Sequence, residues 1–231
     1  MNAQKATAIN DAPAEKAGYA ARLEIDYPEK LDRLSTFFRL FMIIPIGIIL
    51  GLLTNSGQTL TRTVYLNEAG RAIRTTSDNA GGLAAGISIA VALMILFTNR
   101  YPRWWFDFLR ELVRFGTRVG AYALLLTDQY PSTVDEQSVH LQVDYPDVEK
   151  DLKRGIPLVK WFLAIPHYLF LAVLIVCALF AVIFAWFAIL FTGSYPKALF
   201  DFVVGVIRWE LRVNAYAFLL VTDEYPPFSL T

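Results

Sequence analysis

One stretch of this sequence occurs twice, and each copy follows a long apolar run. Residues 118–131 contain Arg-Val, Ala-Tyr-Ala and Thr-Asp-Gln-Tyr-Pro, and residues 212–226 contain the same groups in the same order, with Glu replacing Gln. Upstream, Tyr-Pro, Phe-Asp-Phe and Arg recur at matching positions in 101–114 and 195–208. Such a repeat predicts two structurally equivalent halves. We divide the chain into a flexible tail, repeat 1 and repeat 2, at residues 1–20, 21–133 and 134–231.

The composition indicates a membrane protein rather than a soluble domain. Apolar residues make up 55% of the chain, charged residues only 18%, and the mean hydropathy is +0.42, well to the apolar side of an average soluble domain. The formal net charge is zero, so nothing indicates nucleic acid as a partner. Cys177 is the only cysteine, which excludes an internal disulfide and a cysteine-based metal site. The first 18 residues lack the apolar stretch of a signal peptide.

Three apolar runs predict the membrane segments, because about 20 apolar residues cross a bilayer. In repeat 1 we predict spans at 37–54 and 81–98. In repeat 2 the apolar run 158–193 is too long for one untilted helix and just long enough for two short ones. Without its polar insert, repeat 1 has two apolar pieces that together match this run, which favours a helical hairpin in each half. A single long helix in repeat 2 is the alternative, because 175–178 contains no turn residue.

Polar segments next to these runs predict short β structure. The insert, residues 57–78, alternates like a β-hairpin with a turn at 67–70. Residues 22–27 and 139–145 predict two strands, each leading into Asp-Tyr-Pro, that can pair with each other on one membrane face. Most Lys and Arg residues lie on that face, which the positive-inside rule makes cytoplasmic. We therefore expect both termini on the cytoplasmic side and the insert on the opposite side.

Each Tyr-Pro pair is followed by an amphipathic helix, predicted at 102–126 and 196–221. Polar residues recur there every three or four positions, which places them on a narrow stripe beside a broad apolar face. This favours a helix lying in the membrane interface, with the stripe facing water or lipid headgroups. Alternatively, the two stripes meet in a polar seam, or they line a path for a substrate or ion. The stripe residues proposed to bind headgroups or a partner are Asp107, Arg114, Arg118, Asp201, Arg208 and Arg212.

The exit of each amphipathic helix carries Thr-Asp followed by Tyr-Pro. We expect the Thr or Asp to cap the turn and the proline to prevent the helix from continuing. Aromatic side chains with a polar tip favour the headgroup level of a membrane. The residues predicted to be such interfacial anchors are Tyr101, Trp104, Trp105, Tyr130, Tyr195, Trp209 and Tyr225.

The sequence contains no pattern typical of catalysis, cofactor binding or metal binding. It lacks a phosphate-binding loop, a dinucleotide-binding glycine pattern, a nucleophile elbow and a haem-attachment motif. Two histidines and one cysteine do not give the usual spacing of a zinc or iron site. His140 is expected to face solvent from its strand, and His167 to be a polar residue at the interface. We therefore predict no catalytic residue, no cofactor and no metal.

Several segments of the chain form a recognisable set of motifs. They are Leu-Phe-Thr-Gly-Ser-Tyr-Pro (190–196), Phe-Asp-Phe-Val-Val-Gly-Val-Ile-Arg-Trp (200–209), Arg-Val-Asn-Ala-Tyr-Ala (212–217), 222–228, and the Ile-Pro groups in 41–45 and 162–167. With these motifs the chain resembles a bacterial membrane family, the domain of unknown function 4389, in two tandem copies. The second copy is the closer match, and the first departs from the pattern at Asn99-Arg100 and Gln129 and carries the insert. The resemblance implies a bacterial integral membrane protein and supplies no activity.

Together these features predict an all-α integral membrane protein of the bacterial cytoplasmic membrane, multi-pass and internally duplicated. The expected role is a non-catalytic accessory, scaffold or assembly subunit of a larger membrane complex. Its partners would be the lipid bilayer and other membrane proteins, in a hetero-complex or a homo-oligomer. The alternative is a small transporter or channel whose Asp and Arg stripes line a polar path. A third hypothesis is a lipid-modifying enzyme that uses His167.

Overall fold

The protein is mostly helical, with two small antiparallel sheets. The computed structural model describes residues 18–54, 62–66, 72–76, 83–98, 100–148, 152–153 and 155–231. The turn at 67–70 and the predicted tail, apart from 18–20, lie outside these residues. The elements are β1 (Ala21–Ile25), α1 (Arg33–Thr54), β2 (Arg62–Leu66), β3 (Ala72–Thr76), α2 (Leu83–Thr98), α3 (Arg103–Ala123), β4 (Val139–Val143), a 3-10 turn (Ile156–Leu158), α4 (Lys160–Leu163), α5 (Ile165–Thr192) and α6 (Lys197–Ala217).

The strand that opens each repeat pairs with its counterpart, as the sequence predicts. β1 and β4 are antiparallel, with Leu23 opposite Leu141. Counted back from the two Asp-Tyr-Pro groups, these leucines occupy the same position in their repeats. A pseudo-two-fold axis therefore passes between them. Alternate side chains of both strands are buried on one face of the sheet, at Ala21, Leu23, Ile25, Val139, Leu141 and Val143.

The two repeats exchange these strands. β1 of repeat 1 packs on α6 of repeat 2, and β4 of repeat 2 packs on α3 of repeat 1. The tyrosines behind the strands follow the same exchange. Tyr27 donates a hydrogen bond to the Tyr195 carbonyl, and Tyr145 donates one to the Tyr101 carbonyl. Each repeat thus supplies a strand to the core of the other.

The insert of repeat 1 forms the predicted β-hairpin. β2 and β3 pair antiparallel, with Val64 opposite Arg74. Each strand has five described residues, and the rest of the predicted 57–78 segment lies outside the described part of the chain.

Repeat 2 contains one continuous helix where a helical hairpin is predicted. α5 runs unbroken over 28 residues from Ile165 to Thr192, so the hairpin prediction for 158–193 is wrong and the single-helix alternative is correct. The physical reason lies in 175–178, which supplies no Gly, Pro or Asn to break the helix. The helix ends instead at Gly193, whose φ of +79° is the left-handed conformation that glycine adopts readily.

The two repeats can be aligned on their matching prolines and tyrosines. When Pro45 is aligned with Pro166, the end of α1 lies opposite Ile175. When Tyr101 is aligned with Tyr195, the start of α2 lies opposite Cys177, two residues further along the same helix. The insert of repeat 1 therefore interrupts a helix that repeat 2 keeps intact.

The first helix of each repeat is interrupted on the N-terminal side of an aligned proline. α1 bends by 51° between Arg33–Arg39 and Phe41–Gly51, and Pro45 follows the bend. A proline inside a helix favours a bend before it, because its ring clashes with the carbonyl four residues earlier and it has no N–H to donate. Pro166 occupies the equivalent position in repeat 2, where the chain breaks at Ala164, between α4 and α5.

One described helix, α5, is long and apolar enough to cross a membrane, and α1 is a second if the two parts on either side of its bend cross together. The predicted span 81–98 corresponds to α2, which has 16 described residues. Most of the exposed large apolar side chains in the described part of the chain lie on α1, α2 and α5. We call these three the apolar helices. Only one stripe of α5 is buried, at His167, Leu171, Ala178, Ala181, Ala185 and Ile189.

The amphipathic helix of repeat 2 lies alongside α5. α6 starts five residues after the end of α5, and its last residue packs near α4, where Trp161 Nε1 donates to the Ala217 carbonyl at 2.5 Å. In between, Leu171 packs with Trp209 and Val213. α6 therefore runs antiparallel to α5, with β1 on its other side.

Candidate functional site

The repeated Thr-Asp group of repeat 1 surrounds a buried arginine. Arg39, on α1, is only 2% exposed. One terminal nitrogen of Arg39 donates to the carbonyls of Tyr122 at 3.3 Å and Thr127 at 2.9 Å. The other forms an ion pair with Asp128. The guanidinium carbon also lies 4.5 Å from the centre of the Tyr122 ring, close enough for a cation–π interaction.

Repeat 2 builds the same arrangement around a lysine. Lys160 has no exposed surface. Its Nζ donates to the Thr222 carbonyl at 2.7 Å and lies 2.8 Å from Asp223 Oδ1. Nζ is also 5.1 Å from the centre of the Tyr216 ring. The two cations occupy the same position, six residues before the aligned prolines, so each repeat uses its Thr-Asp group to bind the cation of its own first helix.

Burial makes the charged form of Lys160 less favourable. Burial lowers the pKa of Lys160, because a charged ammonium loses its hydration, while the hydrogen bond and the charge of Asp223 act in the opposite direction. The second oxygen of Asp223 accepts the Lys153 N–H at 2.7 Å, and Asp128 likewise accepts the Asp32 N–H at 2.7 Å. The aspartates therefore also hold the segment that leads into the first helix of each repeat, directly before α1 and seven residues before α4.

Sequence reasoning assigned a capping role to Thr-Asp and missed the buried cations. The hydroxyls of Thr127 and Thr222 do accept the N–H two residues later, so the turn interpretation is correct for them. The signal that could have identified Arg39 and Lys160 was their equal distance from the aligned prolines in both repeats.

The predicted arginine stripes bind backbone carbonyls. Arg118 donates to the Ser132 carbonyl at 2.6 Å. Arg208 donates to the carbonyls of Leu23 at 3.0 Å and Leu230 at 3.2 Å. Arg212 donates to Ser229 and Thr231 in the segment 227–231. These three arginines therefore hold loops and a strand against α3 and α6.

The other stripe residues lie at the surface and pair within their own helix. Asp107 is 3.3 Å from Arg110, and Asp201 is 3.1 Å from Lys197. Arg114 is 2.7 Å from Glu111. Such exposed pairs contribute little to stability. The charged partners of these residues lie on their own helix, so these contacts give the polar-seam alternative no support.

The predicted interfacial anchors differ in how deeply they are buried. Tyr101, Tyr195 and Trp209 are buried in the core, so the anchor interpretation is wrong for them. The exchange of strands explains the burial of the two tyrosines. Tyr27, which follows β1, is hydrogen-bonded to Tyr195 of repeat 2, and Tyr145, which follows β4, is hydrogen-bonded to Tyr101 of repeat 1. Trp105 is half-buried, and the exposed members are Trp104, Tyr130 and Tyr225.

Replacing the two buried tyrosines by phenylalanine should have different effects. The Tyr101 hydroxyl donates to the Leu219 carbonyl at 2.8 Å, whereas the Tyr195 hydroxyl is buried without a hydrogen-bond partner among the described residues. We expect Tyr101→Phe to destabilise the protein by about 1–3 kcal/mol, because a buried carbonyl loses its donor. Tyr195→Phe should be neutral or stabilising. Thermal unfolding in detergent measures both, and equal losses would contradict the assignment of these hydrogen bonds.

The same residues predict a loss of stability in alkali. Burial raises the pKa of the phenols of Tyr101 and Tyr195 above their ordinary value of 10.0. The unfolded chain therefore ionises first, so the stability is fully present below pH 10 and is lost as the pH rises further. We expect Tyr195→Phe to reduce the slope of melting temperature against pH above 10, with Tyr130→Phe, at an exposed position, as the control.

The two histidines are placed differently from each other. His140 is exposed, as expected, and lies 3.2 Å from Asp26. His167 is completely buried rather than interfacial. Its Nδ1 accepts from Trp209 Nε1 at 3.1 Å, and its ring stacks on Phe228 at 4.0 Å. A histidine enclosed in this way is not accessible to a lipid headgroup. In the described ranges no group of three or more His, Cys, Asp or Glu is arranged to hold a metal ion.

A large cavity lies between α1, the end of α3, and α5. Its volume is about 570 Å³. The α3 side includes Leu125, whose φ of +65° is in the left-handed region; this conformation is unfavourable for leucine and reverses the chain toward Thr127. The residues that line the cavity are Thr36, Arg39, Ile43, Ala123, Leu124, Leu125, Leu179, Val182, Ile183 and Trp186.

The comparisons with known proteins identify the repeats. A family model described as Domain of unknown function (DUF4389) matches residues 78–134 and 157–229, together more than half of the chain. No curated protein and no solved structure matches this chain. The first match contains Thr127 and Asp128, and the second contains Lys160, Thr222 and Asp223. The chain therefore belongs to the DUF4389 family and contains two tandem copies of its domain.

Proposed function

We propose that this protein is a non-catalytic accessory, scaffold or assembly subunit of a larger membrane complex. The proposal rests on a contrast between the polar side chains, which are bonded within the chain, and the apolar side chains, many of which are exposed. The buried cations and three of the stripe arginines bind groups within the chain, so they are engaged in structure. The apolar helices instead expose many phenylalanine and aliphatic side chains. Contiguous apolar surface of this kind indicates contact with lipid or with other proteins.

We further propose that the apolar helices are embedded in the cytoplasmic membrane of a bacterium, with the β1–β4 sheet and both termini on the cytoplasmic side. The multi-pass topology predicted from the sequence meets an energetic difficulty. α6 lies antiparallel to α5 and exposes Lys197, Asp201 and Glu210. If α5 crossed upright, α6 would bring these charges into the bilayer, which is unfavourable. The charges favour an α5 that is embedded lengthwise by its exposed face.

Cysteine labelling distinguishes the two placements. Lys153→Cys and Lys197→Cys, each in a Cys177→Ser background, place one exposed thiol near each end of α5. For a lengthwise α5 we expect a membrane-impermeant maleimide to label both from the cytoplasmic face, in inverted vesicles, and neither in spheroplasts. Labelling of the two positions from opposite faces would show that α5 crosses the membrane.

The accessory role predicts a stoichiometric partner. We expect the protein, extracted from its native membrane in mild detergent, to elute with at least one other membrane protein at a fixed ratio. Phe180→Ala with Phe184→Ala removes two exposed side chains of α5 and should reduce the co-eluting partner. Trp104→Ala, an exposed change on α3, is the control. A monodisperse chain that elutes alone from native membranes would contradict the proposal.

The transporter alternative receives less support from the contacts of the stripe. Arg118, Arg208 and Arg212 bind carbonyls of the chain itself. An arginine that lines a transport path has to exchange its partners for the passing solute, and these three hold structural segments instead.

A further inference from the structure

Two of the residues that line the cavity between α1, α3 and α5 carry a buried polar atom without a partner in the described structure. Thr36 Oγ1 and Arg39 Nε are buried, and neither has a hydrogen-bond partner among the residues that the structure describes. Both residues line the cavity. Buried polar atoms of folded proteins are nearly always hydrogen-bonded, so two unpartnered atoms on residues that line the same cavity point to a hydrogen-bond acceptor that a ligand can supply.

The second repeat forms the equivalent buried ion pair without these polar groups, so the fold does not need them. Lys160 replaces Arg39 there and binds the equivalent Asp and Thr carbonyl with a single nitrogen. Pro157 aligns with Thr36 and Ala92 aligns with Trp186, so the hydroxyl and the indole are also absent. The Nε–H of Arg39 and the Thr36 hydroxyl, both from repeat 1, and the indole of Trp186, from repeat 2, thus have no counterparts at the aligned positions.

The rest of the cavity is apolar and opens toward the embedded surface. Its α5 side is formed by Leu179, Val182, Ile183 and Trp186, and Leu179 and Ile183 are also among the exposed residues. A volume of about 570 Å³ falls within the roughly 300–1,000 Å³ of small-molecule sites. A ligand that enters from this side comes from the lipid phase.

We propose that this cavity binds a long acyl chain whose carbonyl oxygen accepts hydrogen bonds from Arg39 Nε–H and the Thr36 hydroxyl. Asp128 already pairs with the Arg39 guanidinium, so the site has no excess positive charge and favours a neutral acceptor over a phosphate. A membrane-lipid ester offers this neutral group, and a fatty acid offers it when its carboxyl is protonated. The inference rests on the embedded placement proposed above and does not depend on a protein partner.

Trp186 provides the readout, because it lies in the wall of the cavity and its Nε1 donates to the Thr36 carbonyl at 3.3 Å. The probes are a phosphatidylglycerol and a free stearic acid, each brominated along the acyl chain, added to the purified full-length protein in non-ionic detergent micelles. We expect saturable quenching of fluorescence, and the quenched component should be absent in Trp186→Phe. The probe that saturates at the lower concentration identifies the ester or the free acid as the source.

Two variants test the apolar part and the polar groups separately. Val182→Phe fills the cavity and should raise the half-saturating concentration at least tenfold, about the effect of a methylene-sized mismatch in an apolar pocket. Val176→Phe, the same change at an exposed position of α5, should have no effect. Thr36→Val should raise the half-saturating concentration roughly three- to tenfold, the usual range for one hydrogen bond. The melting temperature of each variant shows that it is folded.

Several results would overturn the proposal. Quenching that rises linearly with probe and never saturates would show partition into the micelle only. Equal binding by Val182→Phe and Val176→Phe would place the probe outside the cavity. Equal quenching by a brominated alkane without a carbonyl would remove the role of Thr36 and Arg39. If the labelling experiment showed α5 crossing while saturable binding at Trp186 persisted, the acyl-chain site would stand and only the placement would fail.

Discussion

Asp223→Ala is expected to destabilise the protein by about 3–5 kcal/mol, the usual effect of removing one partner of a buried ion pair. Lys160 would remain fully buried with the Thr222 carbonyl but without a counter-ion. The variant would also lose the acceptor for the Lys153 N–H. Asp201→Ala is the matched control, since it removes the same group from an exposed pair with Lys197 and should change stability by less than about 1 kcal/mol.

The pH dependence of this variant separates charge from packing. Burial lowers the pKa of Lys160 below its ordinary 10.5, and loss of Asp223 lowers it further. Between that lowered pKa and 10.5 the unfolded chain binds more protons than the folded one, so stability increases with pH. The loss from Asp223→Ala should therefore be smaller at pH 9.5 than at pH 7. A second change, Lys160→Met, should restore most of the stability. A pH-independent loss that Lys160→Met does not reduce would refute the ion-pair account.

Gly205→Ala should destabilise the full-length protein by about 1–3 kcal/mol, the usual effect of overpacking. A Cβ at this position would lie 2.9 Å from both the Cβ and the carbonyl oxygen of Leu230. Backbone would have to move, and with it the carbonyls that bind Arg208 and Arg212. Thermal unfolding in detergent measures the loss.

The sign of the effect should reverse when the obstructing segment is removed. In a chain that ends at Pro226, Gly205→Ala should stabilise by up to about 1 kcal/mol, because alanine favours a helix more than glycine does. Gly120→Ala, on α3 with no atom near its Cβ, should stabilise both chains. Destabilisation of the shortened chain by Gly205→Ala would place the steric conflict elsewhere.

Several elements of the fold follow directly from sequence patterns. Period-two alternation located β1, β4 and the hairpin of β2 and β3, and polar residues every three or four positions located α3 and α6, with ends within about four residues of those predicted. These patterns are local, because a pleated strand and a helix each impose their own spacing on buried side chains. The duplication added that the two strands are equivalent, which made their pairing predictable.

The hairpin error shows where that reasoning fails. Two apolar pieces in repeat 1 suggested two in repeat 2, but α5 has no residue at 175–178 that favours a turn. Helix propagation across an apolar run is favourable once the helix has started, so the intact helix is the physical default and the insert is the exception.

The candidate site depended on contacts that no local pattern contains. Arg39 and Asp128 are separated by 89 positions, and the hydrogen bond from Lys160 to Thr222 spans 62. An arginine on a helix has the same spacing whether it faces water, lipid or a carbonyl, so its role is set by what packs against it. For the same reason Tyr101 and Tyr195, whose residue type is typical of interfacial anchors, lie in the core.

By itself the sequence determined that this protein has two equivalent halves, which residues are helical or extended, and that much of its surface is apolar, because these properties depend on neighbours within a few positions. Only the tertiary structure decided that the repeats exchange strands, that each Thr-Asp group binds a buried cation, and that one of these cations, Arg39, keeps an unused N–H beside an apolar cavity. Those outcomes depend on which distant surfaces meet, and burial then determines which polar groups must find a partner.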